Sequence, residues 1–123
     1  MASFFIPDGY TVSATLNALP ELGCEKIQFK YRPATGGETN AWLQDRMRGD
    51  GKQLSEANAA FLADHLVSWN LKHNGKEIPI TKENCNRLHS VLINRFRDII
   101  SGFEKPDEVE GESVKSEAET VGN

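Results

Sequence analysis

Cysteine and histidine are scarce in this chain. Two cysteines, Cys24 and Cys85, and three histidines are spread over 123 residues. A disulfide-rich scaffold is excluded, and a pair of thiols in a chain of this kind reads as reduced and half-buried. A structural zinc site takes four ligands and a catalytic one three. Cys85 and His89 share one face of a helical pattern, but no CxxC or HxxxH supplies the rest. Long apolar runs are missing too, and none approaches the roughly 20 residues that span a bilayer. The opening "MASFFIPDGY" has no basic n-region and only three consecutive apolar residues, so it does not read as a signal peptide. The expected location is the cytoplasm.

Catalytic phrases are equally sparse. There is no G-x-S-x-G and no cysteine-protease signature. Thr35-Gly36-Gly37 precedes a helical stretch, yet no P-loop lysine follows it. The chain reads as a non-enzyme that needs no cofactor and no metal.

Charge is present but unevenly placed. The net charge is −4, and the segment from Glu104 onward holds seven acidic residues and two lysines, a net −5. The rest of the chain is therefore close to neutral, at +1. A neutral body lacks the basic face that nucleic acid requires. Lys26, Lys30 and Arg32, with Arg46 and Arg48, form a small positive cluster. It reads as a solvated face, a seat for the acidic tail, or a contact for an acidic partner or RNA.

Two alternating stretches open the folded part. In "YTVSATLN", Val12, Ala14 and Leu16 alternate with hydroxyl residues. In "CEKIQFKYRP", Ile27, Phe29 and Tyr31 alternate with polar ones until Pro33. Period two is the mark of half-buried strands, and two of them predict an antiparallel hairpin with one wet face. Helical patterns follow. One is expected at about 38–47, anchored by Trp42 and Leu43. A second runs through "LSEANAAFLADHLVSWNL", and a third starts at the N-cap Thr81 and carries an apolar stripe to Phe103. Between the last two, Asn74-Gly75 is the preferred pair for a type I′ turn. "WNLK" and "KEIP" then fold back, and Trp69, Leu71, Ile78 and Ile80 plug one end of the helix pair.

The expected architecture is α+β. An N-terminal antiparallel β-hairpin packs on a small bundle of about three helices in a single domain over 1–103. The segment 104–123 has no aromatic residue and no apolar periodicity, so it is expected to be an acidic, disordered tail. Phe4, Phe5 and Ile6 have no obvious place in the core pattern. They read either as a third packing layer or as an uncovered apolar surface.

Several phrases together carry a resemblance. "KIQFKYRPATGGE" is a strand ending in Tyr-Arg-Pro before a polar helix start. "FLADHLVSWNLKHNGKEIPITKENCNRL" is a helix ending at Trp69, a short Gly turn, and a Pro-x-Thr step into the next helix. Over about residues 10–103 the chain resembles the tail assembly chaperones of long-tailed bacteriophages, most specifically at 67–81. The resemblance implies a small non-enzymatic α+β protein of the host cell cytoplasm. It would bind and solubilise the tape measure protein, help recruit tail tube subunits, and form a homo-oligomer. Recognition of a helical client calls for an apolar groove. The candidate partner-binding residues are Phe61, Trp69, Leu88, Leu92, Phe96, Ile99 and Phe103, which are equally suited to a core. The alternatives are a small structural tail or neck component retained in the virion, or a non-phage interaction module.

Overall fold

In the computed structural model the described residues are 5–17, 26–48 and 51–114. Strand β1 (Tyr10–Leu16) and strand β2 (Ile27–Tyr31) pair antiparallel, with Val12 opposite Tyr31, Ala14 opposite Phe29 and Leu16 opposite Ile27. All six are buried, while Gln28 is exposed, as the alternation predicts. The loop that joins the strands, with Cys24, lies outside the described residues.

Helix α1 (Gly36–Arg48) begins with a reciprocal cap. The Glu38 amide donates to Thr35 Oγ1 (3.1 Å), and the Thr35 amide donates to the Glu38 carboxylate (2.9 Å). This capping box satisfies two otherwise orphaned donors. Helix α2 (Gly51–His65) is followed without a loop by strand β3 (Leu66–Trp69). The sequence pattern extended this helix through Trp69, and the structure corrects that reading. The Arg32 amide donates to the His65 carbonyl (2.8 Å) and the Asn70 amide to the Gln28 carbonyl (3.1 Å), so β2 takes up the chain as a strand. Val67 and Trp69 suit a pleated edge better than a last helical turn. His65 locks the switch, because its Nδ1 donates to the Arg32 carbonyl at 2.9 Å.

The Asn-Gly connector folds as the sequence predicts. Asn74 and Gly75 take φ of 53° and 78°, and strands β4 (Lys72–His73) and β5 (Lys76–Glu77) pair across them. The Trp69 indole N–H donates to the Ile78 carbonyl at 2.6 Å. Trp69, Leu71 and Ile80 pack against the core. Thr81 then caps helix α3 (Lys82–Asn86), its hydroxyl accepting from the Asn84 amide at 3.0 Å.

The final stripe is two helices rather than one. α3 tightens as the Arg87 amide bonds the Asn84 carbonyl and the Leu88 amide the Cys85 carbonyl. His89 is extended and restarts helix α4 (Ser90–Ser101), its Nδ1 accepting from the Val91 amide at 3.1 Å. Leu92, Phe96, Ile99 and Ile100 face the sheet, and Phe96 meets Phe29 edge-on at 5.0 Å. α1 joins the same core through Trp42, whose ring lies 5.6 Å from Phe61 of α2.

The expectation of an unstructured segment from residue 104 is corrected over part of its length. Strand β6 (Glu108–Val114) pairs antiparallel with β1, giving a four-stranded sheet in the order β3-β2-β1-β6. Charge and hydroxyl chemistry hold it there. Lys26 lies 3.3 Å from Glu108, Thr15 Oγ1 donates to Glu110 (3.1 Å), and the Asn17 amide donates to Asp107 (2.7 Å). Residues 115–123 lie outside the described residues. The fold is α+β, with the N-terminal strand pair packed on four described helices and the folded unit extending past residue 103.

Candidate functional site

The seven residues singled out in the sequence separate by depth. Phe61, Leu92, Phe96 and Ile99 are buried and form part of the core. Trp69 and Leu88 are half-buried and pack against it. Phe103 is 64% exposed. Helical spacing placed Phe61 and Trp69 on one helix and the other five on a single stripe to Phe103; the β3 switch and the break at His89 distribute them over more elements.

Phe103 owes its position to the helix end. Gly102 adopts φ 84°, the Phe103 amide donates to the Asp98 carbonyl (2.8 Å) and the Gly102 amide to the Ile99 carbonyl (3.1 Å). That is a Schellman stop, which often carries a hydrophobic contact from this position back onto the helix. Here the contact would fall on Asp98, and the ring points to solvent instead.

Beside it lies a groove of about 630 Å3 between the end of α4 and the strands β1 and β6. Tyr10, Val12 and Tyr31 form the sheet side, and Ala34, Ile99 and Ile100 the helix side. Ile6 closes one end, while Glu104, Asp107 and Glu112 stand on the rim. Val109, 58% exposed, is a further rim residue. Two rim carboxylates are tied down, since Arg95 reaches Glu104 (2.7 Å) and Asp107 (3.4 Å). Tyr10 donates its hydroxyl to Glu112. Burial, then the Glu112 carboxylate, pushes the Tyr10 phenol up to about 12. Burial likewise raises Tyr31, so both phenols are neutral donors near neutral pH. Among the described residues the Tyr31 hydroxyl has no hydrogen-bond partner, and the Ser101 Oγ is buried without one. The groove is thus an apolar trough with neutral hydroxyls inside and carboxylates outside.

A second concavity, of about 480 Å3, lies between the β4-β5 hairpin and α3. Ile78, Pro79 and Leu88 line it together with the ionisable residues His73, Lys76, Glu77 and Arg87. Among the described residues no carboxylate lies within ion-pair distance of Lys72, Lys76, Lys82 or Arg87.

The residues with chemical potential serve the fold. Cys85 is fully buried, and burial pushes its thiol up to about 11, so it carries no thiolate near neutral pH. His89 is spent on the α4 cap, and the break separates it from Cys85 onto another helix. Among the described residues no group of three or more His, Cys, Asp or Glu is placed to hold a metal ion. No described helix is long and apolar enough to cross a membrane.

Sequence reasoning found Ile99 of the groove and its chain neighbour Phe103 but missed Val109 and Glu112, because their segment reads as unstructured. Phe4 lies outside the described residues; Phe5 is 74% exposed and Ile6 joins the groove. Compared with known proteins, the chain matches no family model, no curated protein and no solved structure.

Proposed function

We propose that this chain is a non-enzymatic tail assembly chaperone of a long-tailed bacteriophage. It acts in the host cytoplasm, binds and solubilises the tape measure protein, helps recruit tail tube subunits, and self-associates. The observation that supports this reading is the groove beside α4. Its apolar walls and the exposed Phe103 ring suit the apolar face of an amphipathic client helix, and its hydroxyls suit the polar margin of that helix. Scattered exposed apolar residues are ordinary, but Val109 lines this trough and Phe103 stands in the chain between two of its lining residues, Gly102 and Glu104.

The test is co-expression with the long helical protein encoded beside this chain. Size-exclusion chromatography with light scattering then reads the soluble complex. The wild-type chain keeps that neighbour soluble, and Phe103→Ser combined with Val109→Ser releases it into the pellet. A neighbour that is insoluble with the wild-type chain, or equally soluble with the double variant, overturns the groove reading. Retention of the chain in finished particles would favour a structural tail component instead.

A further inference from the structure

We infer that the free edge of β6 in one copy docks into the hairpin concavity of a second copy, head to tail. Three observations on opposite sides of the sheet carry this. In the order β3-β2-β1-β6, strand β6 is one edge, and the β4-β5 hairpin leaves the chain directly after the other edge strand, β3. One molecule therefore presents both surfaces but does not bring them together.

The charges are complementary. Residues 104–112 hold five carboxylates and one lysine. Residues 72–87 hold four Lys or Arg, two glutamates and His73. Lys26 meets Glu108, Arg95 meets Glu104, and Arg97 meets Asp98. The hairpin and α3 cations, like Lys30 and Lys105, have no carboxylate within ion-pair distance among the described residues. Glu77 is the one carboxylate lining the concavity, and it is exposed.

The shapes are complementary as well. An edge-on approach to β6 meets Val109 on one face of the strand and Glu108 and Glu110 on the other, because successive residues alternate. Val109 is an apolar knob between carboxylates. The concavity is lined by apolar residues and cations. An unpaired strand edge seeks a partner unless it is short or bulged. β6 is seven residues long and carries a bulge at Glu110, since Ala14 pairs with Val109 and Ser13 with Gly111, so its charged, bulged edge is blunted against strand addition and meets a side-chain surface rather than another strand. The carboxylates repel a second β6, so they direct the edge away from an isologous contact. A heterologous contact of this kind does not close on itself at two copies. One strand against one hairpin is a small interface, so the association is weak.

This inference supplies the contact behind the self-association proposed above, and it rests on that part of the proposal alone. The experiment is light scattering from about 10 µM to about 1 mM, the range of weak encounters, at low and high salt. Wild-type mass rises above 13.7 kDa with concentration. It falls back toward the monomer at about 0.5 M salt, where exposed charges are screened. A socket variant, Lys76→Glu with Arg87→Glu, and a knob variant, Val109→Lys, each stay monomeric alone. Mixed, they form a one-to-one heterodimer that grows no further, because each keeps one intact face. Circular dichroism confirms that each variant is folded, and Val109→Ser replaces any knob variant that is not.

A wild-type chain that is monomeric throughout ends the inference. So does oligomerisation that both variants retain, or a mixture that stays monomeric. A peptide of residues 104–112 that fails to compete, while an unrelated acidic protein partner does, would also end it. A monomeric chain that still keeps its neighbour soluble ends this inference and leaves the client reading standing.

Discussion

Phe96 and Phe103 lie on one apolar stripe in the sequence, seven residues apart, and the structure assigns them opposite roles. Replacing each by alanine tests that assignment directly. Phe96 is wholly buried, 5.0 Å from Phe29 and 6.3 Å from Trp69 between ring centres. Phe→Ala at such a site costs about 3–5 kcal/mol through lost transfer energy and the cavity left behind. Phe103 keeps 64% of its surface in water. At most about a third of a ring area of roughly 200 Å2 is withdrawn, worth on the order of 1–2 kcal/mol as an upper bound. Burial already present in the unfolded chain lowers this to about 1 kcal/mol or less. Urea unfolding followed by tryptophan fluorescence reads both, since Trp69 lies beside Phe96. Phe96→Ala should remove a large part of the ~5–15 kcal/mol that holds a domain together. Phe103→Ala should leave the midpoint nearly in place while weakening capture of the proposed client. Equal losses at the two positions would refute the division of this stripe into core and surface.

Five further outcomes follow from particular contacts. Gly75→Ala should cost about 1 kcal/mol, because φ of 78° disfavours any L side chain even though the added Cβ meets nothing within 4 Å; denaturant titration checks it. Thr35→Ala should cost about 1 kcal/mol by opening the capping box. The Thr35 amide also holds the Glu38 carboxyl below its ordinary value. Its stabilisation is therefore present above that ordinary range and lost as pH falls through the lower folded value, so Glu38→Gln should flatten the acid limb of a stability–pH curve. The Tyr10 phenol, pushed up from 10.0 to about 12, favours the folded state fully below pH 10 and progressively less up to about 12; Tyr10→Phe should reduce that alkaline loss to the share of Tyr31. In a Cys24→Ser variant, Cys85 should react with a thiol reagent only at the rate of unfolding, since the thiol is wholly buried, and rapid stoichiometric labelling of the native chain would contradict its place in the core.

Much of this architecture is written locally. Val12, Ala14 and Leu16 against Ile27, Phe29 and Tyr31 specify a strand pair, because a one-residue slip would turn all six outward. Asn74-Gly75 specifies its turn, and Thr81 its cap. The errors are equally physical. Leu62, Leu66 and Trp69 fit a helical period, but hydrogen bonds from Arg32 and to Gln28 divert the last of them to a sheet edge. Periodicity cannot report a partner strand some forty residues away. His89 interrupts a stripe that reads as continuous, because its ring competes as a cap for the Val91 amide. Burial also resolves what pattern leaves open. Phe61, Leu92 and Ile99 are legible as apolar, but only the packed structure separates them from Phe103.

The acidic segment shows why composition is the weakest of these signals. Asp107, Glu108, Glu110 and Glu112 lie in a stretch with no apolar period, and such a stretch cannot offset its ordering entropy by its own burial. Strand β1 changes that balance. Its second edge is open once β2 occupies the first, and backbone pairing needs no particular side chain. The carboxylates then find specific partners: Lys26 for Glu108, Thr15 for Glu110, Tyr10 for Glu112 and Arg95 for Asp107. Each exposed ion pair is worth only about 0–1 kcal/mol. Strand pairing and several such contacts must therefore act together, which makes β6 the sheet strand most sensitive to salt. Hydrogen exchange at ~0.5 M salt should accelerate in 108–114 while β2 amides stay protected. The same acidic character that hides the strand from sequence reading also leaves its outer edge charged and available to a basic surface. A segment read as tail is thus both the closing strand of the sheet and the surface proposed to meet a second copy.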